Sequence, residues 1–285
     1  MSAPDFVAIG HVTLDRFGAT VRPGGAALYA AVTAHRLGAS TGILTSHGAD
    51  FPLELIPPRI EVVSVPSTRT TTFTHGGDPG GGRALTCHET AEPITPEDIP
   101  EDWRGVPLVL LAPVMNELDP TLAAAFPDAA VGAAAQGWLR GRTTDGRIAP
   151  TRWDSARLVL SRIQALFLSV EDTRAMSAEV NEWYQQVPVG VLTAGRLGAL
   201  LFVNGERYEV RPYSVREVEP TGAGDVFAAA FMLHYDRDGD PWEATAAASC
   251  AAALSVEGEG LSAVPDAGRL AAALGQYRLA LGHAP

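Results

Sequence analysis

From Glu92 onward the chain alternates short, largely apolar runs with helical stretches, and this rhythm restricts the fold more than any other feature. Leu108 to Ala112, Ala129 to Ala133, Ala165 to Ser169 and Val189 to Thr193 read as strands. Leu118 to Phe126, Thr173 to Gln186, Glu243 to Leu254 and Ala267 to Leu281 read as helices. Strands that alternate with helices pair in parallel through crossovers, so the pattern predicts an α/β fold: a doubly wound, mostly parallel sheet with helices on both faces. Asn204-Gly205 between Ala199 to Val203 and Arg207 to Val210 is a tight-turn signal that adds an antiparallel hairpin at one edge. No linker divides the chain and no repeat of fixed period is visible, which predicts one domain over residues 1–285.

The N-terminal third adds strands at Phe6 to Ile9, Thr41 to Thr45 and Ile60 to Val65, and an alanine-rich helix from Ala26 stopped by Gly38. Asp15 lies beyond the end of the first strand, where open α/β sheets collect ligands. Gly24-Gly25 before the helix is either a simple turn or a place where backbone N–H groups approach a polyol. Between Ser67 and His88 the sequence turns to threonine-rich alternation around a glycine-rich tip at Gly76 to Gly82, a hairpin with a mobile tip. Two strands are not stable alone, so this hairpin, with the segment near residues 12–22, is expected to cover a site as a small β-lid or to pair across a homodimer. His75, Cys87 and His88 are close in sequence but match no standard metal-ligand spacing. Asn116, Glu117 and Gln136 to Arg140 follow strand ends, and their side chains either face a pocket or are solvated loop residues. The five tryptophans are expected in the core.

One stretch calls for chemistry. Thr221-Gly222-Ala223-Gly224-Asp225 leads into the apolar run Val226 to Leu233, so a flexible turn opens a buried helix whose first N–H groups lack partners. Such a terminus favours a phosphate. Asp225 either caps the helix, as Asp often does, or takes a proton from an attacking hydroxyl. The mechanisms open to it are narrowed by composition: all 21 basic residues are arginine, which rules out a Walker lysine, a strand-borne kinase lysine and a Schiff-base lysine. A net charge of −12 with no basic run argues against nucleic-acid binding. Two cysteines in unrelated contexts, no apolar stretch of membrane length and no leader-like start fit a soluble, cytoplasmic protein. A nicotinamide-dependent oxidoreductase is disfavoured, because no dinucleotide fingerprint follows the first strand.

Three small-residue turns in order, Gly24-Gly25, Thr193 to Gly198 and Thr221 to Gly224, resemble those of the ribokinase-like PfkB family of carbohydrate kinases, and the resemblance runs through the whole chain. It implies Asp225 as the base, with the Gly222, Ala223 and Gly224 amides as the anion hole for the transferring phosphoryl group. It further implies Asp15, Gly24 and Gly25 at the sugar, and Thr193, Gly195, Gly198 and Thr221 at the nucleotide. Residues 70–74 and 84–87 would belong to the family's lid. Ser169 and Asp172 stand where the family carries Asn-x-x-Glu near magnesium, and Tyr29 stands where ribokinase-type members carry an asparagine at the sugar. The resemblance thus implies ATP and Mg²⁺ as cofactors and a small polyhydroxylated acceptor: a sugar, a polyol such as an inositol, or a nucleoside. A catalytically silent sugar or nucleotide sensor on the same fold is the alternative.

Overall fold

A computed structural model describes residues 3–77 and 83–282. In chain order the strands and helices are β1 (Phe6–Ile9), β2 (Thr13–Phe17), β3 (Thr20–Gly24), α1 (Ala26–Arg36), β4 (Thr41–His47), β5 (Ile60–Pro66), β6 (Thr71–Gly77), β7 (Arg83–Glu89), β8 (Leu108–Leu111) and β9 (Ala130–Ala134). There follow β10 (Arg140–Arg142), β11 (Ile148–Pro150), α2 (Ala156–Leu160), β12 (Ala165–Ser169), α3 (Ser177–Tyr184), β13 (Val189–Thr193), β14 (Ala199–Val203) and β15 (Glu206–Val210). The chain ends in α4 (Ala223–Asp238), α5 (Pro241–Ser255) and α6 (Ala267–Ala280).

Nine strands form one sheet in the order β15-β14-β13-β12-β9-β8-β1-β4-β5. It is parallel from β13 through β5, and the β14–β15 hairpin closes one edge antiparallel. Side chains alternate across it into two cores. Phe6, Ala8, Leu108, Leu110, Ala165 and Phe167 pack with α1, α4, α5 and α6, while Val7, Ile9, Val109, Leu111, Leu166 and Leu168 pack with α2 and α3 on the other face. This period of two explains the continuous apolar runs, since both faces of each strand are covered.

A second sheet of four strands, β3-β2-β6-β7, joins the segment after β1 to the threonine-rich hairpin through a parallel β2–β6 pairing. The hairpin's tip, residues 78–82, lies outside the described residues.

The helical expectations shorten in two places. Leu118 to Phe126 is only a 3₁₀ segment, Pro120–Ala124, and α3 begins at Ser177 rather than Thr173. Pro120 suits the first turn and Asp119 accepts from the Thr121 N–H, so the sequence starts a turn that the next proline, Pro127, prevents from growing. Four tryptophans are buried, but Trp242 is 46% exposed at the start of α5, where its edge meets Tyr208. Cys87 and Cys250 are both free and buried. Among the described residues no helix is long and apolar enough to cross a membrane.

Candidate active site

The strands β9, β12 and β13 lie side by side within the large sheet, and α4 packs against β9 and β12. Gly222 is the N-cap of α4, with φ 80°, a conformation glycine adopts without strain. It is also a packing requirement: a Cβ here would stand 2.4 Å from the Tyr29 ring. A Cβ on Gly224 would meet nothing within 4 Å, so the turn's other glycine opens onto free space. Asp225 lies in the first turn of α4 and makes no cap hydrogen bond. Capping therefore does not account for it.

Asp225 is buried, and burial raises its carboxyl pKa to about 7, with Asp172 and Asp15 pushing the same way and Arg140 opposing them. Its Oδ1 accepts from Gln136 Nε2 at 3.2 Å, and Gln136 Oε1 accepts from Arg140 Nη2 at 2.7 Å. The guanidinium is further anchored on the Val114 carbonyl at 3.3 Å and stands 3.9 Å from Asp172 Oδ1. Gln136 and Arg140 thus join Asp225 to Asp172 across the end of the sheet. Ser169, at the end of β12, donates its hydroxyl to Asp172 Oδ2 and accepts from the Asp172 N–H at 3.1 Å, which fixes the carboxylate with one oxygen toward Arg140. Magnesium usually takes one or two carboxylates and fills its remaining positions with water and phosphate oxygens, and this pair of oxygen donors fits that habit.

On one side of the turn lies a cavity of about 230 Å³, lined by Thr193, Gly195, Gly198, Ala223 and Gly224 and walled by apolar groups that include Tyr213, Phe227 and Val256. Gly195 and Gly198 have φ of 55° and 93°, and a Cβ on Gly198 would strike the Val210 carbonyl at 2.2 Å, so the loop after β13 can turn this tightly only with glycine. Of the four residues expected around a nucleotide, Thr193, Gly195 and Gly198 line this cavity; the neighbour of Thr221, Pro220, lines it in that residue's place.

On the other side Asp15, Gly24, Gly25 and Tyr29 meet. Asp15 is buried, and its Oδ2 lies where a Cβ on Gly24 would be, 2.1 Å away, so the carboxylate is seated on a residue without a side chain. Oδ1 accepts from Thr13 Oγ1 at 3.0 Å. Gly25, with φ 103°, is the N-cap of α1 and passes so close to the His11 carbonyl that a Cβ would meet it at 2.4 Å. Tyr29 is only 5% exposed, and its hydroxyl has no hydrogen-bond partner among the described residues. Burial, then Glu219, Asp15 and Asp225, push its pKa far above the ordinary phenol range, so it remains a neutral O–H donor.

Several residues take places that sequence reasoning left open. Glu117 faces neither solvent nor the acceptor side: it is buried and accepts from the His11, Val114 and Met115 N–H groups, tying together the loops after β1 and β8. His75 stacks on Phe17 with ring centroids 4.4 Å apart, and its Nε2, buried without a hydrogen-bond partner, stands 3.6 Å from Asp15 Oδ1. His88 instead bonds Thr74 Oγ1, and no cluster of three metal-ligating side chains forms among the described residues. Gln136 and Arg140 carry no motif of their own; their position one turn past a strand end was the available signal.

Residues 128–267 match the pfkB family of carbohydrate kinases. Cytidine kinase of Thermococcus kodakarensis is 26% identical over 268 residues, covering 84% of this chain and 91% of that one. Among solved structures, a pyrophosphate-dependent kinase of the ribokinase family complexed with a pyrophosphate analogue and myo-inositol superposes with a TM-score of 0.78 at 20% identity, covering 94% of this chain and 99% of that one. Arabidopsis thaliana ribokinase complexed with ribose and ATP gives 0.70 at 20% identity, covering 95% and 99%. With its glycine turn, its doubly wound sheet and these likenesses together, the chain belongs to the pfkB family of carbohydrate kinases and has the ribokinase-like fold.

Proposed function

We propose that the chain transfers the γ-phosphoryl group of ATP to a hydroxyl of a small sugar, inositol or nucleoside, with Asp225 as the base. The observation that carries this is the position of Asp225: a buried carboxyl with a pKa raised to about 7, at an open glycine turn, with a mostly apolar cavity on one side and Asp15 and Tyr29 on the other. A base poised near neutrality accepts a proton most usefully at working pH.

In this reading the acceptor's ring lies against Asp15 and the α1 start at Gly24 and Gly25, with the Tyr29 hydroxyl as a donor to one of its oxygens. Asp225 takes the proton of the attacking hydroxyl. The Gly222, Ala223 and Gly224 N–H groups, at the positive end of the α4 dipole, hold the oxygens of the transferring group. Arg140 adds a cationic side chain at the junction, a guanidinium whose planar fork suits phosphate oxygens. Asp172 and Ser169 would hold Mg²⁺, which supplies charge neutralisation to the donor phosphates when bound. The four-stranded sheet acts as a lid, excluding water that would compete as acceptor.

The cavity also bears on the donor, since related folds serve pyrophosphate as well as ATP. Pyrophosphate has no use for walls such as Tyr213, Phe227 and Val256, whereas a nucleobase does. The test is a release assay with ATP or pyrophosphate, across cytidine, myo-inositol and D-ribose, with and without Mg²⁺. Mg²⁺-dependent ADP release with at least one acceptor is expected. Orthophosphate release from pyrophosphate alone would overturn the donor assignment, and no release with any acceptor would favour the silent sensor.

A further inference from the structure

One guanidinium ties the outer strand β3 of the four-stranded sheet to the segments on either side of the nucleotide cavity wall. Arg22, on β3, sits opposite Asp15 in the β2–β3 register and so shares its face of the sheet. Its Nη1 donates to Glu219 Oε2 at 2.9 Å and its Nη2 to Glu259 Oε2 at 2.6 Å, while the guanidinium lies over the Phe17 ring, 5.3 Å from the centroid. Glu219 is the half-buried member of the fork, its side chain 15% exposed against 62% for Glu259.

Glu219 is held from the opposite direction too. Its Oε2 accepts from the Gly260 N–H at 3.2 Å, and the Val218 and Glu219 N–H groups both donate to the Val256 carbonyl, at 2.7 and 3.2 Å. Val256 lines the cavity assigned above to the nucleotide, as does Pro220, the residue after Glu219. Glu219 therefore connects three things: the cavity wall, the segment entering the glycine turn, and the acceptor-covering sheet. The Glu219 arm, partly buried and charge-assisted, is directional and stronger than the exposed Glu259 arm.

Resting on the proposed function, we infer that Arg22 is a positioning residue that couples the two substrates: through Glu219 and Glu259 it carries the occupancy of the nucleotide cavity to the sheet that bears Asp15. A nucleotide that steadies the Val256 and Pro220 walls steadies Glu219, and with it the sheet, before any acceptor arrives. Coupling of this kind is a free energy shared by both sites.

Hydrogen exchange with the non-hydrolysable ATP analogue AMP-PNP tests this without an acceptor and without turnover. In the wild-type protein AMP-PNP should slow exchange in two regions, the cavity loops (193–198 and 252–260) and the β2–β3 segment (13–24), by about tenfold in the latter, the size of a moderate coupling. In Arg22→Met the cavity loops should still be protected and the β2–β3 segment should change by less than about twofold, with Arg22→Lys intermediate because it keeps the charge and loses the fork. Glu219→Gln should behave as Arg22→Met does, which guards against an effect of the methionine itself. Protection of the cavity loops without protection of β2–β3 in the wild type, or β2–β3 protection that survives in Arg22→Met, overturns the inference and leaves the kinase reading intact. No protection anywhere by AMP-PNP overturns both.

Discussion

In the proposed reaction the donor and acceptor sides of Asp225 are built on different terms. The donor side is backbone: glycines with positive φ at 195, 198 and 222, a helix terminus, and an apolar cavity walled by α4, α5 and the loop before α4. The acceptor side is side chains carried by a separate small sheet: Asp15, His75 and Arg22 from its strands, with Tyr29 rising from α1 beneath. The family match has the same asymmetry, since it covers residues 128–267 and so contains the glycine turn and the donor cavity but neither Asp15 nor the small sheet. Backbone recognition of phosphate tolerates little change, whereas side chains on a separate sheet can be exchanged to suit an acceptor. Variation in substrate is accordingly expected on the acceptor side, with the donor side held in common.

The sharpest way to break this division is at the residue both sides share. Asp225→Asn should lower turnover by about 10²-fold or more, the scale of a lost general base. AMP-PNP affinity should stay within about twofold, because the donor site is built from amides. The same variant should be more stable. The unfolded carboxyl titrates near 4 and the folded one near 7, so a raised carboxyl pKa costs the fold stability progressively as pH rises between those values and by a constant amount above them. Asparagine carries no such cost, so at pH 8 its Tm should exceed that of the wild type by about 2 °C or more. Unchanged turnover would remove Asp225 from the chemistry; a lowered Tm would mean its carboxylate is better compensated than its burial indicates.

A smaller effect is expected at Arg140, which belongs to neither side. Its charge opposes the burial that raises Asp225, so in Arg140→Met the Asp225 carboxyl should hold its proton to higher pH. The acid limb of kcat/KM, which reports the free enzyme, should move upward by about one pH unit, and Arg140→Lys should restore it. A limb that stays in place while kcat falls would assign Arg140 to the phosphoryl oxygens alone.

These residues also mark how far the sequence could be read. The doubly wound sheet and its antiparallel edge follow from local pattern, because a strand covered on both faces must be apolar throughout and Asn204-Gly205 suits only a tight turn. Asp225 was legible because a carboxylate in a glycine turn before an apolar helix is chemically out of place. Gln136, Arg140 and Glu219 were not, since each is an ordinary polar residue and acquires meaning only through partners 89, 32 or 197 positions away: Asp225, Asp172 and Arg22. Glu117 misled for the same reason, as nothing local says that three backbone N–H groups converge on it. Gly222 was read as flexible for the sake of a phosphate, yet the contact that forbids any Cβ there is the Tyr29 ring, contributed from the far end of the chain.

That contact makes Tyr29 the finest probe of the division, because its two halves serve different sides. The ring packs under the donor turn at Gly222, while the hydroxyl, unpartnered among the described residues, lies near Asp15, Asp225 and Glu219 on the acceptor side. Tyr29→Phe keeps the ring and removes only the O–H. If the hydroxyl donates to an acceptor oxygen, the loss is one neutral hydrogen bond, about 0.5–1.5 kcal/mol, which raises the acceptor KM by about two- to tenfold. The KM for ATP and the Tm should not move, because the packing on Gly222 is intact and no internal hydrogen bond is broken. Tyr29→Ala should instead disturb both sides, since the turn loses the ring it rests on and a buried aromatic leaves a cavity. A Phe variant that changes the ATP KM as much as the acceptor KM would show that the two sides are not separable at this residue, and the hydroxyl would then belong to the turn rather than to the acceptor.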